Sequence, residues 1–304
     1  MKILVASDIA EEGISKLKKE FEVDVKKGIS KEEIMAIIEN YDGVIVRSKP
    51  NITEEIIKKG KNLKVVARAG VGLDNVDVNC CQGLGVKVVN SPQASSDSVA
   101  ELAFGLILAV SRNIARADRL TREKKWEKKS LMGHELNGKT LGIVGFGRIG
   151  RNIGRIAIAC GMKLIAYDPY LTDEQIRKGD AEPVTLEKLI EISDVITFHV
   201  PLIDSTKHMI SYAEFEKMKS NAIIINTSRG GIIDEDALCN ALSSGKILGA
   251  GLDVFEEEPP IKSKLLEYDN VVLTQHIGAS THEAQKRAGI MIAEEVIKAL
   301  KCKN

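Results

Sequence analysis

Aromatic residues make up only 4% of the 304-residue chain, with a single Trp, and prolines number seven. The five cysteines (Cys80, Cys81, Cys160, Cys239 and Cys302) are odd in number and lack metal-ligand spacing. That excludes a disulfide framework or a cysteine zinc site and predicts free thiols in a reducing cytoplasm. Lys plus Arg equals Asp plus Glu, 43 against 43. A formal charge of zero argues against nucleic acid or an anionic membrane as the main partner. The longest apolar run, around Ala103–Val110, is far short of the ~20 residues of a membrane span. The opening "MKILVASD" reads as a β-strand, because Asp8 ends the apolar run too early for a signal peptide.

What is present is a repeat of short apolar runs and amphipathic helices. Strands are predicted at 2–6, 43–46, 64–67, 86–89, 141–144, 163–167, 194–198, 222–225, 249–252 and 271–274. They are continuous rather than alternating, as strands buried on both faces should be. Intervening helices carry start signals, such as Ser30 and Glu33 at capping-box spacing. The pattern predicts an α/β protein with parallel sheets. A Pro/Ser cluster at "VVNSPQASSDS" ends a first block; a long helix, about 98–119, follows from the Ser98-x-x-Glu101 signal. A helix over 281–300, with Ile292, Val296, Ile297 and Leu300 on one face, is expected to dock back on the first block.

"TLGIVGFGRIGRNIG" places Gly145-x-Gly147-x-x-Gly150 directly after a strand and at the start of a helix. Glycine is needed for the tight turn, for approach of a pyrophosphate and for helix packing, and the helix N-terminus faces the phosphates. The next strand ends in Asp168, 18 residues beyond Gly150, where an acid should bind the ribose hydroxyls of NAD. No arginine follows at once to receive a 2′-phosphate, which favours NAD over NADP.

Three later strands end in charged or titratable residues: Arg229 in "NTSRGGIID", Asp253 and Glu258 in "GLDVFEEEP", His276 in "LTQHIGAST". A guanidinium suits a carboxylate, a histidine suits proton exchange near neutral pH, and a carboxylate beside it fixes its tautomer. Taken singly, each is as readily a surface charge or a strand-end polar residue. His199, His134, His208 and His282 receive no catalytic role. No metal site is expected.

Together with "RAGVGLDNVD" (68–77), "SVAELAFGLILAVSR" (98–112), "LNGKTLGIVGFGRIG" and "HVPL" (199–202), these segments resemble the D-isomer-specific 2-hydroxyacid dehydrogenases over essentially the whole chain. The resemblance implies Arg229, Glu258 and His276 as the catalytic set. It implies two doubly wound parallel-sheet domains with a cleft between them: a discontinuous substrate domain, 1–96 and 281–304, and a Rossmann-type NAD domain, 97–280. Cofactor contacts would come from Val71, Gly145, Gly147, Arg148, Ile149, Gly150, Asp168, Val200, Thr227, Ser228, Arg229, Asp253, His276 and Gly278. The acid's carboxylate would meet backbone N–H groups of Ala69–Gly72, chiefly Gly70, Val71 and Gly72, together with Arg229 and His276. "VRSKPNIT" resembles the phosphate site of the branch acting on a phosphorylated 2-hydroxy acid, making Arg47, Ser48 and Lys49 substrate ligands. Sister enzymes reducing glyoxylate or hydroxypyruvate, or oxidising D-lactate, are the alternative, and an NAD-sensing corepressor-like protein is one of another class. Members usually carry Pro before the catalytic histidine; here Gln275 stands there, which would loosen that loop or substitute a hydrogen bond. The family pairs its nucleotide domains, so a homodimer is expected, with helix 98–119 in the interface and a tetramer possible. Longer members carry C-terminal regulatory domains, and none is expected here.

Overall fold

The apolar runs become parallel strands because each is flanked by a helix that returns the chain to the same edge. The computed structural model describes residues 1–301; Cys302 and the end of the expected C-terminal substrate segment lie outside the described residues. The chain divides into two compact units, Met1–Ser95 with the segment from Ala279 onward, and Ser96–Gly278.

In the first unit the strands are β1 (Lys2–Val5), β2 (Glu22–Val25), β3 (Gly43–Val46), β4 (Val65–Arg68) and β5 (Lys87–Asn90). They pair in parallel in the order β2-β1-β3-β4-β5. One face buries Leu4, Val44, Val46 and Val66 under helices Lys31–Ile37, Glu54–Lys59 and Val78–Gly83. The other buries Ile3, Val5, Ile45 and Val65 under helix Glu11–Lys18 and the last helix, His282–Lys301. The final helix does dock on the first block: Ile292 and Val296 are fully buried there, with Ile297 and Leu300 packed beside them. Helix Lys31–Ile37 carries the Ser30–Glu33 capping box, with both reciprocal hydrogen bonds made.

The second unit holds β6 (Thr140–Val144), β7 (Lys163–Tyr167), β8 (Glu182–Pro183), β9 (Val195–Phe198), β10 (Ile223–Asn226), β11 (Gly249–Leu252) and β12 (Val271–Leu273). Their order is β12-β11-β10-β9-β6-β7-β8, again all parallel. Helices Ser96–Ser111 and Arg148–Ala159 cover one face; helices Leu186–Ile192, Tyr212–Lys217 and Glu235–Ser243 cover the other. Among the described residues, no single helix is long and apolar enough to cross a membrane.

Three expectations need correction. β2 and β8 lie outside the strands that the apolar runs predict. β2 is an edge strand reading "EVDV", partly exposed, so it lacks the apolar run of a central strand. β8 is a two-residue edge strand, too short for any periodicity. The helix expected over 98–119 begins at Ser96 and breaks after Ser111: Asn113 takes a left-handed φ of 53° and helix Ile114–Arg122 departs at 64°. Ser98 lies inside the helix, buried, rather than at its cap.

Candidate active site

Open α/β sheets bind ligands outside the carboxyl ends of their strands, where the strand order reverses. In the second unit that point lies between β6 and β9. The loop after β6 opens with Gly145 at φ 90°, and a Cβ there would stand 2.6 Å from the His199 carbonyl oxygen beyond β9. Gly150 must also be bare: its Cβ would lie 2.4 Å from the Gly145 oxygen. Around Gly147, by contrast, the space a Cβ would enter is open. Gly147 is the N-cap of the 12-residue helix Arg148–Ala159, with no side-chain cap, so helix N–H groups of Arg148, Ile149 and Gly150 have no intrahelical acceptor. An uncapped, positively polarised helix end behind a bare glycine fits a pyrophosphate.

Asp168 follows β7 and accepts hydrogen bonds from the N–H of Phe146 (Oδ2, 3.0 Å) and Tyr170 (Oδ1, 3.0 Å). It is thereby held against the glycine loop, with lone pairs remaining for ribose hydroxyls. The second unit therefore fits NAD by its own geometry.

β9, β10, β11 and β12 deliver the other candidates. After β10, Asn226, 2% exposed, organises the arginine loop. Its Oδ1 accepts from Ser228 N (3.0 Å) and Ser228 Oγ (2.7 Å), and its Nδ2 donates to the Arg229 carbonyl (2.8 Å). Arg229 Nη1 donates to Ser228 O at 2.6 Å. Ser228 is thus committed to shaping the loop, whereas Thr227 Oγ1 is buried without a hydrogen-bond partner. Asn226 escaped the sequence reading, although an Asn that ends a strand and begins a turn is a known signal.

After β12, His276 sits at φ 53° and directs Nδ1 at Glu258, 2.8 Å from Oε2 and 3.1 Å from Oε1. The two residues, 18 positions apart, form a half-exposed pair. With Nδ1 occupied by the carboxylate, Nε2 is left for a substrate hydroxyl.

Asp253, 1% exposed, anchors the histidine loop: Oδ1 accepts from Thr274 Oγ1 (2.6 Å) and Ile277 N (2.8 Å), Oδ2 from Gly278 N (2.8 Å). These three bonds flank Gln275, so the loop is fastened on both sides without a proline. They also engage Asp253 and Gly278 with each other, both having been expected at the cofactor.

His199 continues β9 and is partly buried, with its Nδ1 atom shut off from solvent. Burial alone pushes its imidazole down to about 3, so the ring is neutral. Nε2 lies 3.1 Å from Thr197 Oγ1 and Nδ1 is buried without a partner. Val200 packs at the first glycine, its Cγ1 2.8 Å from where a Gly145 Cβ would be.

In the first unit the strand order reverses between β1 and β3. Arg47, Ser48 and Lys49 follow β3 at that point, facing Ser7 after β1. Ser7 Oγ accepts from Arg47 N (2.9 Å) and donates to the Lys49 carbonyl. Asn75 Nδ2 donates to the carbonyls of Arg47 (3.0 Å) and Pro50 (3.2 Å). Arg47 is partly buried, and that burial lowers its guanidinium below the usual arginine range. Among the described residues it has no ion-pair partner.

The turn after β4 only partly suits the anion nest expected of it. Ala69 N donates to Val46 O (2.8 Å) and Gly70 N to Arg68 O (2.9 Å). Gly70 is therefore not a donor for a ligand, and the available N–H groups narrow to Val71 and Gly72. Val71 is held from the other side, its carbonyl accepting from Asn90 Nδ2 at 2.6 Å.

Residues 104–278 match the family described as D-isomer specific 2-hydroxyacid dehydrogenase, NAD binding domain. A hydroxypyruvate reductase of Thermotoga maritima is 52% identical over 93% of this chain and 92% of its own length. A D-3-phosphoglycerate dehydrogenase of Methanocaldococcus jannaschii is 48% identical over 99% of this chain, which spans 58% of that relative's length. Among solved structures, a glyoxylate reductase from Paecilomyes thermophila superimposes with a TM-score of 0.90 at 30% identity, covering 99% of this chain and 96% of its own.

Proposed function

The chain belongs to the D-isomer specific 2-hydroxyacid dehydrogenase family, which binds NAD, and from that premise we propose that it oxidises D-3-phosphoglycerate to 3-phosphohydroxypyruvate. In that role it would open the phosphorylated route to L-serine.

The observation that carries the phosphorylated substrate is Arg47. It is a partly buried guanidinium at the switch point of the first sheet; burial opposes its charge more than the nearby Asp8 carboxylate supports it, and among the described residues no carboxylate lies within ion-pair distance. A dianionic phosphate answers both conditions. Ser48 and Lys49 stand on the same loop. NAD, when bound, supplies the hydride acceptor for C2. Its pyrophosphate would rest on the N–H groups of Arg148 and Ile149 across Gly147, and its ribose on Asp168. Val200 and the Thr227–Arg229 loop would line the nicotinamide side, with Asp253 and Gly278 holding the wall behind.

The chain's own chemistry is proton transfer and charge placement. His276 Nε2 takes the hydroxyl proton as the C2–H bond breaks and the C2–O bond gains double-bond character. Glu258, on Nδ1, fixes the tautomer and stabilises the imidazolium. Arg229 holds the substrate carboxylate and polarises the developing carbonyl. In the reverse direction protonated His276 returns the proton.

A second reading, reduction of hydroxypyruvate, is favoured by the 52%-identical relative of that name; it would use the same proton chemistry without the Arg47 contact. NADH formation from 3-phosphoglycerate, glycerate and D-lactate separates the two. Preference for the phosphorylated acid, lost in Arg47→Ala, supports the first; equal or better rates without phosphate support the second.

A homodimer is part of the same proposal. Trp126 and Met132, 85% and 82% exposed, line one cavity on the second unit, and exposed apolar clusters mark contact surfaces. A monomer by light scattering at micromolar concentration would contradict it.

A further inference from the structure

Glu258 lies in the loop after β11, and that loop is fastened to two others by an interlock that the proton chemistry above does not use. Glu256 N donates to Glu235 Oε1 at 2.8 Å, and Glu235 N returns a bond to Glu256 Oε1 at 3.2 Å. Ser263 Oγ donates to Glu235 Oε2 at 3.1 Å, closing the far end of the loop onto the same carboxylate. His208 Nε2 lies 3.1 Å from Glu256 Oε1, while His208 N donates to the Gly231 carbonyl at 2.7 Å. His208 therefore ties the Glu258 loop to the loop that presents Arg229.

The parts suit one another. Glu235 is the first residue of helix Glu235–Ser243, so its N–H has no intrahelical acceptor and the helix end favours an anion. Glu256 supplies that anion from another loop. The N–H of Phe255, the residue before Glu256, donates to Oε1 of Glu258, two residues after it, at 3.3 Å, so the backbone that Glu256 fixes is the backbone that orients the Glu258 carboxylate. His208 and Glu256 are each 39% exposed, and exposed ion pairs contribute little stability. The gain from this interlock is therefore geometric.

We propose that Glu256, seated on Glu235 and latched by His208, is a positioning residue: it sets the loop that aims Glu258 at His276. The proposal rests on the acid–base reading of His276 and Glu258. If Glu256 acts through Glu258, its removal matters only while Glu258 is there to be aimed.

The test is a double-mutant cycle on the full chain, with turnover read at saturating NAD and the best 2-hydroxy acid, and NADH affinity read separately by fluorescence titration. Glu256→Ala should lower kcat on the order of 10-fold and leave NADH affinity unchanged. Glu256→Gln, which keeps an Oε1 to accept the Glu235 N–H, should retain most of the turnover. In a Glu258→Gln background, Glu256→Ala should cost less than about 2-fold more. His208→Ala, which leaves the helix end capped, should give a smaller loss that also vanishes in the Glu258→Gln background and serves if Glu256→Ala does not fold. An unchanged kcat, or the same fold-loss in both backgrounds, overturns the positioning role. Undiminished turnover in Glu258→Gln alone would instead overturn the acid–base reading on which the role depends.

Discussion

A Cβ on Gly230 would stand 1.8 Å from the carbonyl oxygen of Phe255. The loop that presents Arg229 thus lies with its backbone flush against the loop that presents Glu258, and only a glycine lets them meet. Two catalytic candidates from different strands are brought into register by a missing side chain.

Gly230→Ala should accordingly separate the two loops. The expected result is a loss of kcat/KM on the order of 100-fold, with the fold intact by circular dichroism. Steady-state kinetics on the variant checks it.

Asp168 joins charge to architecture, since it also accepts the Phe146 and Tyr170 N–H groups. Asp168→Asn keeps an acceptor and removes the charge that repels a 2′-phosphate. The ratio of kcat/KM for NAD over NADP should fall on the order of 10-fold, mostly through KM. Kinetics with both cofactors measures it.

His199 predicts an acid dependence of stability. Its folded-state value is about 3, below the ~6.5 of an unfolded histidine. The unfolded chain therefore binds more protons between those values. The contribution is fully present above pH 6.5 and is lost as pH falls toward 3, with a slope of up to about 1.4 kcal/mol per pH unit. Urea unfolding between pH 4 and 7 should show a shallower fall in His199→Asn than in the parent chain.

The sequence was most legible where the local signal is one-dimensional. Buried parallel strands announce themselves as apolar runs, and Gly145-x-Gly147-x-x-Gly150 follows one of them in a fixed order of strand, turn and helix. Arg229, Glu258 and His276 each follow a strand, but only the family resemblance of the segments around them singled them out as a set. β2 and β8 were hidden because an edge strand needs no apolar run. The break at Asn113 was hidden because a left-handed residue inside an amphipathic stretch leaves the periodicity intact. Contacts between loops were least legible. Nothing in "STKHMI" says that His208 meets a carboxylate 48 positions later, and nothing in "RAGVG" says that the Gly70 N–H is already taken. Those depend on where the strands place their ends, which is a property of the sheet.

His276 is the group that moves the proton in the proposed reaction, and His276→Ala tests that role most directly. Turnover of the best 2-hydroxy acid should fall on the order of 1000-fold, while NADH affinity, read by fluorescence titration, stays within about 2-fold of the parent, because the glycine loop and Asp168 are untouched. A His276→Ala protein that binds NADH normally and still turns over at the parental rate would contradict the mechanism.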